Sequence, residues 1–332
     1  MKPLAVSLGD PAGVGPELIC QAWLRREAEA LPPFAVAGGS AVMAGAAART
    51  LTDLPWRLVS SITGAGDVFA EALPILAGSD CTYRPGSPDR DGAQTAMASL
   101  EQATTLALRG EASAVITAPI AKSRLAEVGF AFPGQTEFLA DVCGSSEEDA
   151  VMMLAGPSLR AVPLTVHIAL ADVSASLSQE LIMHRARIVA RALETDFGIV
   201  RPRVAIAALN PHAGEAGRMG GEEIAIIAPA IAALKAEGID ATGPHPADTL
   251  FAPRARATYD VAMAMYHDQA LIPLKALDFD QGVNVTLGLP IVRTSPDHGT
   301  AFDIAGKGIA DPGAMIAAIR MAGEIAARRA RA

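Results

Sequence analysis

The chain has 332 residues, of which 51% are hydrophobic, 19% charged and 4% aromatic. This length supports two domains, and the composition is too apolar for a disordered chain. With 27 basic and 36 acidic residues the net charge is −9. Because an acidic surface repels phosphate backbones, we expect no nucleic acid among the partners of this protein.

Short apolar runs alternate with longer helical stretches along the chain. The first run, 4–8, predicts a strand that leads through a Gly/Pro loop into a helix over 17–30. Further runs predict strands at 34–37, 114–117, 151–154, 162–166, 204–209 and 261–265, with helices at 92–109, 177–194 and 222–237. Continuous apolar strands separated by helices are typical of a largely parallel sheet covered on both faces. The sequence therefore predicts an α/β fold.

No segment predicts a membrane span or an exported protein. The longest apolar stretch, 224–234, has 11 residues and contains Pro229, whereas a spanning helix needs about 20. The start, MKPLAVSLGDPAGVGPE, predicts a first strand and a loop rather than a signal peptide. Cys20, Cys81 and Cys143 are odd in number and widely spaced, which fits neither a disulfide framework nor a metal motif. We expect a cytoplasmic protein with no membrane partner.

Three of the six histidines directly follow apolar runs, namely His167, His212 and His267. In open parallel sheets, ligands bind at the carboxyl ends of the strands. Neutral imidazoles from three strand ends can hold one divalent metal and leave positions open for a substrate. The alternative is that each is an ordinary loop or core histidine, since their spacings of 45 and 55 residues match no local metal motif.

Two glycine-rich loops, 9–17 and 299–308, match neither the G-x-G-x-x-G fingerprint nor a P-loop. The first loop precedes a helix start that suits an anion, or it is simply a tight strand-to-helix turn.

Two basic residues stand close to these features in the sequence. Lys275 follows the third histidine and Arg293 precedes the second glycine loop. Cations beside a metal site indicate an anionic substrate. The alternative is that they form surface ion pairs with Asp278, Asp280 or Asp297.

Seven segments resemble, in order, the 4-hydroxythreonine-4-phosphate dehydrogenase family of pyridoxal phosphate biosynthesis. They run from residue 7 to residue 308 and read SLGDPAGVGPE, TAPIAKS, FPGQTEFLA, LTVHIAL, LNPHAGEAG, MYHDQALIPLK and VNVTLGLPIVRTSPDHGTAFDIAGKG. The last is also similar to the adenosine-binding loop of isocitrate and isopropylmalate dehydrogenases. The resemblance implies their α/β fold, with two domains, largely parallel sheets and an interdomain cleft. Residues 1–128 and 285–332 would form the first domain, with both termini and the cofactor loop, and 129–284 the second, with the metal and dimer contacts.

The same resemblance implies an oxidoreductase that uses NAD or NADP and one divalent metal per site, zinc, magnesium or cobalt. It would oxidise and decarboxylate 4-phosphohydroxy-L-threonine to 3-amino-2-oxopropyl phosphate for pyridoxine biosynthesis, as a homodimer with a shared active site. One alternative is the same chemistry on a phosphorylated sugar acid, threonate or erythronate 4-phosphate. A less favoured alternative is a phosphotransacetylase-like transferase, which predicts no metal and no histidine trio.

Residue roles implied by the resemblance can be assigned position by position. His167, His212 and His267 would bind the metal, with His267 coming from the partner subunit. The substrate contacts would be Gln135, Thr136, Lys275, Asn284 and Arg293, the cofactor contacts Gly299 and Thr300, and the catalytic residues Lys275 and Asp248. Gln135 departs from the family, which has histidine there, so this residue either orients the substrate without carrying charge or marks a shifted substrate.

Overall fold

The computed structural model describes residues 2–50 and 54–331. The strands in chain order are β1 Leu4–Ser7, β2 Phe34–Ala37, β3 Trp56–Val59, β4 Leu73–Leu76, β5 Val115–Thr117, β6 Val151–Ala155, β7 Arg160–Pro163, β8 Arg203–Ala207, β9 Asp240–His245, β10 Val261–Ala264, β11 Val283–Leu287 and β12 Arg293–Pro296. The helices are α1 Gly15–Leu24, α2 Ser40–Thr50, α3 Ala65–Val68, α4 Arg90–Leu108, α5 Lys122–Ala126, α6 Gln135–Val142, α7 Val173–Ser176, α8 Gln179–Thr195, α9 Ala228–Ala236, α10 Ala247–Leu250, α11 Pro253–Arg256, α12 His267–Asp278 and α13 Gly313–Arg329. The α/β prediction is confirmed.

The chain divides into two compact units. The first comprises Met1–Glu147 and Leu289–Arg331, and the second Glu148–Gly288. The sequence predicted changes of domain at 128/129 and 284/285, and these limits stay a prediction. Among the described residues, no helix is both long enough and apolar enough to span a membrane.

In the first unit the strands lie in the order β3, β4, β2, β1, β5, β12, and every pair is parallel. The strands β1, β2 and β4 are buried along their whole length because helices cover the sheet. The helix α1 begins at Gly15, two residues before its predicted start, because Pro16 suits a first helical turn. It ends at Leu24 rather than at residue 30.

In the second unit the order is β11, β6, β7, β10, β8, β9. The strand β6 is antiparallel to both of its neighbours, β11 and β7. The remaining pairs, β7 with β10, β10 with β8 and β8 with β9, are parallel. The helix predicted over 222–237 begins as a wider π-helical turn, Glu223–Ile227, before α9. Pro229 explains this turn, since proline has no N–H for a regular helical hydrogen bond.

A buried carboxylate joins two loops of the first unit. Glu17 has no exposed surface, and its Oε2 accepts the N–H of Gly306 at 2.9 Å. Its Oε1 is also buried and has no hydrogen-bond partner among the described residues. Burial raises the pKa of Glu17, and the backbone hydrogen bonds from Gly306 and Gly308 lower it less than burial raises it. The loops 9–17 and 299–308 are therefore held together by a costly buried group.

We expect Glu17→Gln to stabilise the protein at pH 8 by roughly 1 kcal/mol, because the amide still accepts the Gly306 N–H without a buried charge. A raised pKa means that the folded state holds its proton more tightly than the unfolded state does. The wild type therefore loses stability as pH rises from about 4.5 through the folded pKa, and the variant does not lose this contribution.

Urea unfolding between pH 4.5 and pH 8 measures this difference. Glu101→Gln on the exposed face of α4 serves as the control and should show no pH-dependent difference from wild type. A Glu17→Gln protein that is less stable than wild type at pH 8, with a smaller loss of stability at pH 4.5, would contradict this explanation.

Candidate active site

Four parallel strands of the second unit end at one edge of the sheet, and a histidine stands at or beyond each end. Along this edge the strands follow the order β7, β10, β8, β9. His167 follows β7, His267 begins α12 after β10, His212 follows β8, and His245 is the last residue of β9. We call this set the histidine edge. It lies where parallel sheets bind their ligands.

Two members of the histidine edge meet directly. The ring centroids of His167 and His267 lie 6.1 Å apart, and His267 Nδ1 lies 2.7 Å from Asp268 Oδ1. A carboxylate on Nδ1 fixes the tautomer whose Nε2 can bind a metal. Both rings line a cavity of about 290 Å³ that also borders Thr165 and Tyr266.

His212 lies in a segment of unusual backbone. Residues His212–Ala216 all have positive φ, between 43° and 72°, a left-handed conformation that costs about 1–2 kcal/mol for each residue other than glycine. Among residues 2–50 and 54–331, no three His, Cys, Asp or Glu side chains form a group able to hold a metal. One chain thus brings together His167 and His267, and His212 does not complete a set of three with them.

Gln269 binds the strand ends together, and the sequence analysis missed it. This residue on α12 is 9% exposed. Its Oε1 accepts the N–H of Met265 at 2.7 Å, and its Nε2 donates to the carbonyl of Ala208 at 2.8 Å. It therefore links the chain beyond β10 to the chain beyond β8. The available signal was a polar side chain two positions after His267 and next to the apolar run 270–274 of the same helix.

The other histidines have structural partners. Burial lowers the pKa of His245, whose Nε2 lies 2.9 Å from Thr242 Oγ1. His184 Nε2 lies 2.9 Å from Asp149 Oδ1 in the second unit, and both residues are half-buried. His298, in the first unit, lies beside the carbonyl of Gly299, with Nδ1 at 3.0 Å.

In the first unit a buried arginine defines a second candidate centre. Arg293 opens β12 and is only 3% exposed. Its Nη2 donates to Thr117 Oγ1 at 2.8 Å and to Gln135 Oε1 at 3.0 Å. Burial lowers the pKa of Arg293 to about 10, while Glu137 acts in the opposite direction. The guanidinium therefore keeps its charge at neutral pH, which suits an anion.

Gln135 acts on this arginine. It opens α6, and its amide accepts from Arg293 while its Nε2 donates to the carbonyl of Ala118 at 3.2 Å. A neutral amide orients the guanidinium without adding or cancelling charge. Thr136 follows on α6 and is half-buried.

The remaining predicted residues lie on several elements. Lys275 lies on α12 and is half-buried. Asn284 lies on β11, and its Oδ1 is buried with no hydrogen-bond partner among the described residues. Asp248 is exposed on α10, which packs against the segment that carries His212. In the first unit, Gly299 is exposed, and the carbonyl of Thr300 accepts the N–H of Val14 at 2.9 Å.

These features define an α/β protein with a histidine-lined sheet edge in one unit and a buried arginine in the other. The family model for the pyridoxal phosphate biosynthetic protein PdxA matches residues 30–322. The chain belongs to this family.

Relatives match nearly the whole chain. The 4-hydroxythreonine-4-phosphate dehydrogenase of Erythrobacter litoralis is 64% identical over 329 residues, which cover 99% of this chain and 98% of that protein. The enzyme of the same name from Zymomonas mobilis is 53% identical over 330 residues, with 99% and 97% coverage. The crystal structure of 4-hydroxythreonine-4-phosphate dehydrogenase from Klebsiella pneumoniae is 39% identical, covers 98% of both chains and gives a TM-score of 0.84.

We expect Gln269→Ala to lower the free energy of unfolding by about 2–4 kcal/mol, because it leaves a buried N–H and a buried carbonyl without their partner. Urea denaturation measures the loss. Gln102→Ala is the matched control, since Gln102 also donates to a carbonyl, that of Ala77, but near the surface. That control should lose less than about 1 kcal/mol. Equal losses in the two variants would contradict the bridging role of Gln269.

Proposed function

We propose that this chain is a cytoplasmic, NAD(P)-dependent 4-hydroxythreonine-4-phosphate dehydrogenase that requires a divalent metal. Membership of the PdxA family supports the reaction, and the paired imidazoles of His167 and His267 carry the proposal of a metal. The three cysteines are free, as thiols are in a reducing compartment.

The histidine edge has the chemistry of a metal site. His167, His212 and His267 would hold the divalent metal. Imidazole nitrogen suits zinc or cobalt, whereas magnesium, the third ion considered, prefers oxygen ligands. When bound, the metal supplies charge that lowers the pKa of a coordinated hydroxyl, and the coenzyme supplies the hydride acceptor. The Asp268 carboxylate on His267 Nδ1 fits this assignment, since carboxylates commonly orient metal-binding histidines.

The anionic groups of the substrate would be bound by this chain's own side chains. In the first unit Arg293, oriented by Gln135, would bind phosphate or carboxylate together with Thr136. In the second unit Lys275 is a further proposed substrate contact. Asn284 would contribute hydrogen bonds, and its buried Oδ1 without a partner supports such a role.

The reaction balances without a further reactant. The hydroxyl of C3 would lose its proton and C3 a hydride, for which the coenzyme would be the acceptor, and the product would be a β-keto acid. The bond between the carboxylate and C2 then breaks, carbon dioxide leaves, and C2 takes up a proton. Asp248 would be the base at the hydroxyl, and Lys275 would stabilise the enolate with its positive charge.

Gly299 and Thr300 would contact the coenzyme, and the loop that contains Gly13 and Val14 packs against Thr300. The carbonyl of Thr300 accepts the N–H of Val14, and a Cβ on Gly13 would lie 2.8 Å from that carbonyl oxygen. Glycine at position 13 is therefore required by the close approach of the two loops. Packing of this kind presents the backbone of the coenzyme loop in one conformation.

A second copy of the chain would complete the active site as a homodimer. Ile168 and Leu170, which follow His167 and line the same cavity, are 43% and 70% exposed. Exposed apolar side chains beside a binding cavity are typical of an interface. The incomplete histidine set within the described part of one chain supports a shared site.

Gln135 favours a second candidate substrate. A neutral amide on Arg293 replaces the histidine of the family, so the charge offered to the substrate differs. Threonate or erythronate 4-phosphate would undergo the same oxidation and decarboxylation.

Absorbance of reduced nicotinamide tests the activity directly. We expect 4-phosphohydroxy-L-threonine to reduce NAD or NADP only when zinc, magnesium or cobalt is present. Arg293→Lys should raise KM about tenfold or more, because lysine cannot make the two-pronged contact of arginine with an anion.

Arg320→Lys is the matched control, since Arg320 pairs with Glu29 in the same unit, and its kinetics should be unchanged. Faster turnover of a phosphorylated sugar acid would establish the second substrate. No reduction with any of the three substrates and any metal would refute the dehydrogenase.

Mixed dimers test whether two chains share one site. His212→Ala and His267→Ala should each be inactive, and a mixture after subunit exchange should regain about one quarter of wild-type activity. The recovery arises because half of the dimers are mixed and each of these has one intact site.

No recovery, with exchange verified by differently tagged chains, would show that one chain supplies both histidines. A second mixture, His167→Ala with His267→Ala, shows which chain supplies His267. Recovery there places His267 of the partner subunit in the site, whereas no recovery means that the pair of rings acts within one chain.

A further inference from the structure

The left-handed segment His212–Ala216 needs support from its surroundings, since only Gly214 among its residues adopts this backbone without strain. The strain is local to the residue that the proposed function uses as a metal ligand. Whatever holds this segment therefore also fixes the position of the His212 imidazole.

Asn210, two residues before the segment, is held by two consecutive glutamates. Its backbone N–H donates to Glu223 Oε1 at 2.8 Å. Its side-chain Nδ2 donates to Glu223 Oε2 at 3.0 Å and to Glu222 Oε2 at 2.8 Å. Glu223 is 4% exposed, and a Cβ on Gly214 would lie 2.6 Å from its Oε2. The Glu223 carboxylate thus packs against the middle of the left-handed segment.

The same hydrogen bonds reach the segment that carries His167. Ser174 on α7 donates to Glu222 Oε1 at 2.5 Å, and its neighbour Val173 lines the cavity that contains His167 and His267. The strands before these two segments, β7 and β8, are not neighbours, because β10 lies between them. The side chains of Ser174, Glu222 and Asn210 therefore connect the two loops directly.

We propose that Asn210, Glu222, Glu223 and Ser174 form a positioning network that sets where His212 lies relative to His167. The proposal rests on the proposed function, which makes these histidines metal ligands. None of the four side chains touches the metal or the substrate in this scheme. They act by fixing a ligand, as the outer hydrogen-bond partners of metal sites do.

Ser174→Ala and Ser174→Thr give the sharpest test, because Ser174 is exposed and its loss leaves no buried group without a partner. Zinc affinity is measured on the intact purified protein by competition with a chromophoric chelator. We expect the alanine variant to bind zinc several-fold more weakly and the threonine variant, which keeps the hydroxyl, to bind as wild type does. Asn210→Ala should weaken zinc binding about 10- to 100-fold.

The visible spectrum of the cobalt-loaded protein provides a second reading, which a change in stability alone does not move. It should change in Asn210→Ala and Ser174→Ala and return to that of wild type in Ser174→Thr. Glu237→Gln is the matched control, since Glu237 pairs with Arg187 on the surface of the same unit, and it should alter neither reading.

The outcomes separate this proposal from the proposed function. If wild type binds zinc, His212→Ala loses it and the network variants bind normally, the positioning role is refuted and the metal site stands. If wild type binds no zinc, both are refuted. Should Asn210→Ala fail to fold, the serine pair decides, because equal zinc affinity in Ser174→Ala and Ser174→Thr overturns the proposal.

Discussion

The parallel pairing of β7, β10, β8 and β9 governs where the chemistry of the second unit lies. Parallel strands end together, so residues that are far apart in sequence reach one edge of the sheet. Gln269 stabilises this edge by linking the residues that follow β10 to those that follow β8. Thr165, after β7, donates a 2.8 Å hydrogen bond to the carbonyl of Met265, after β10. The positions of His167 and His267 follow from these contacts.

The positive charge that the proposed anionic substrate needs comes from individual buried side chains and not from the net charge of the protein. The chain is acidic overall, with a net charge of −9, yet the substrate proposed for it is anionic. Arg293 reconciles the two, because a buried guanidinium acts at short range and with little screening by salt. Its orientation by the neutral Gln135 leaves its charge intact for a phosphate or a carboxylate. Global charge therefore describes the surface of the molecule and not its binding groups.

Apolar strands could be predicted from the sequence, because burial on both faces leaves a continuous apolar run, as in 34–37. The buried strand β12 could not, since its residues RTSP are polar. The strand β9 contains Gly243 and Pro244, which an edge strand tolerates. In a sequence, this Gly-Pro pair predicts a loop instead. That the three histidines follow strands could be predicted from the sequence, whereas their role as metal ligands stays a prediction. Their grouping depends on strand order and on the backbone at His212, and no local pattern encodes either.

The central claim is that imidazoles of the histidine edge hold a divalent metal. X-ray absorption at the zinc edge, recorded on the zinc-loaded protein, tests this assignment. We expect a first shell with three nitrogen neighbours at about 2.0–2.1 Å and the outer-shell scattering that is characteristic of imidazole rings. A shell composed of oxygen or sulfur, without imidazole scattering, would contradict it.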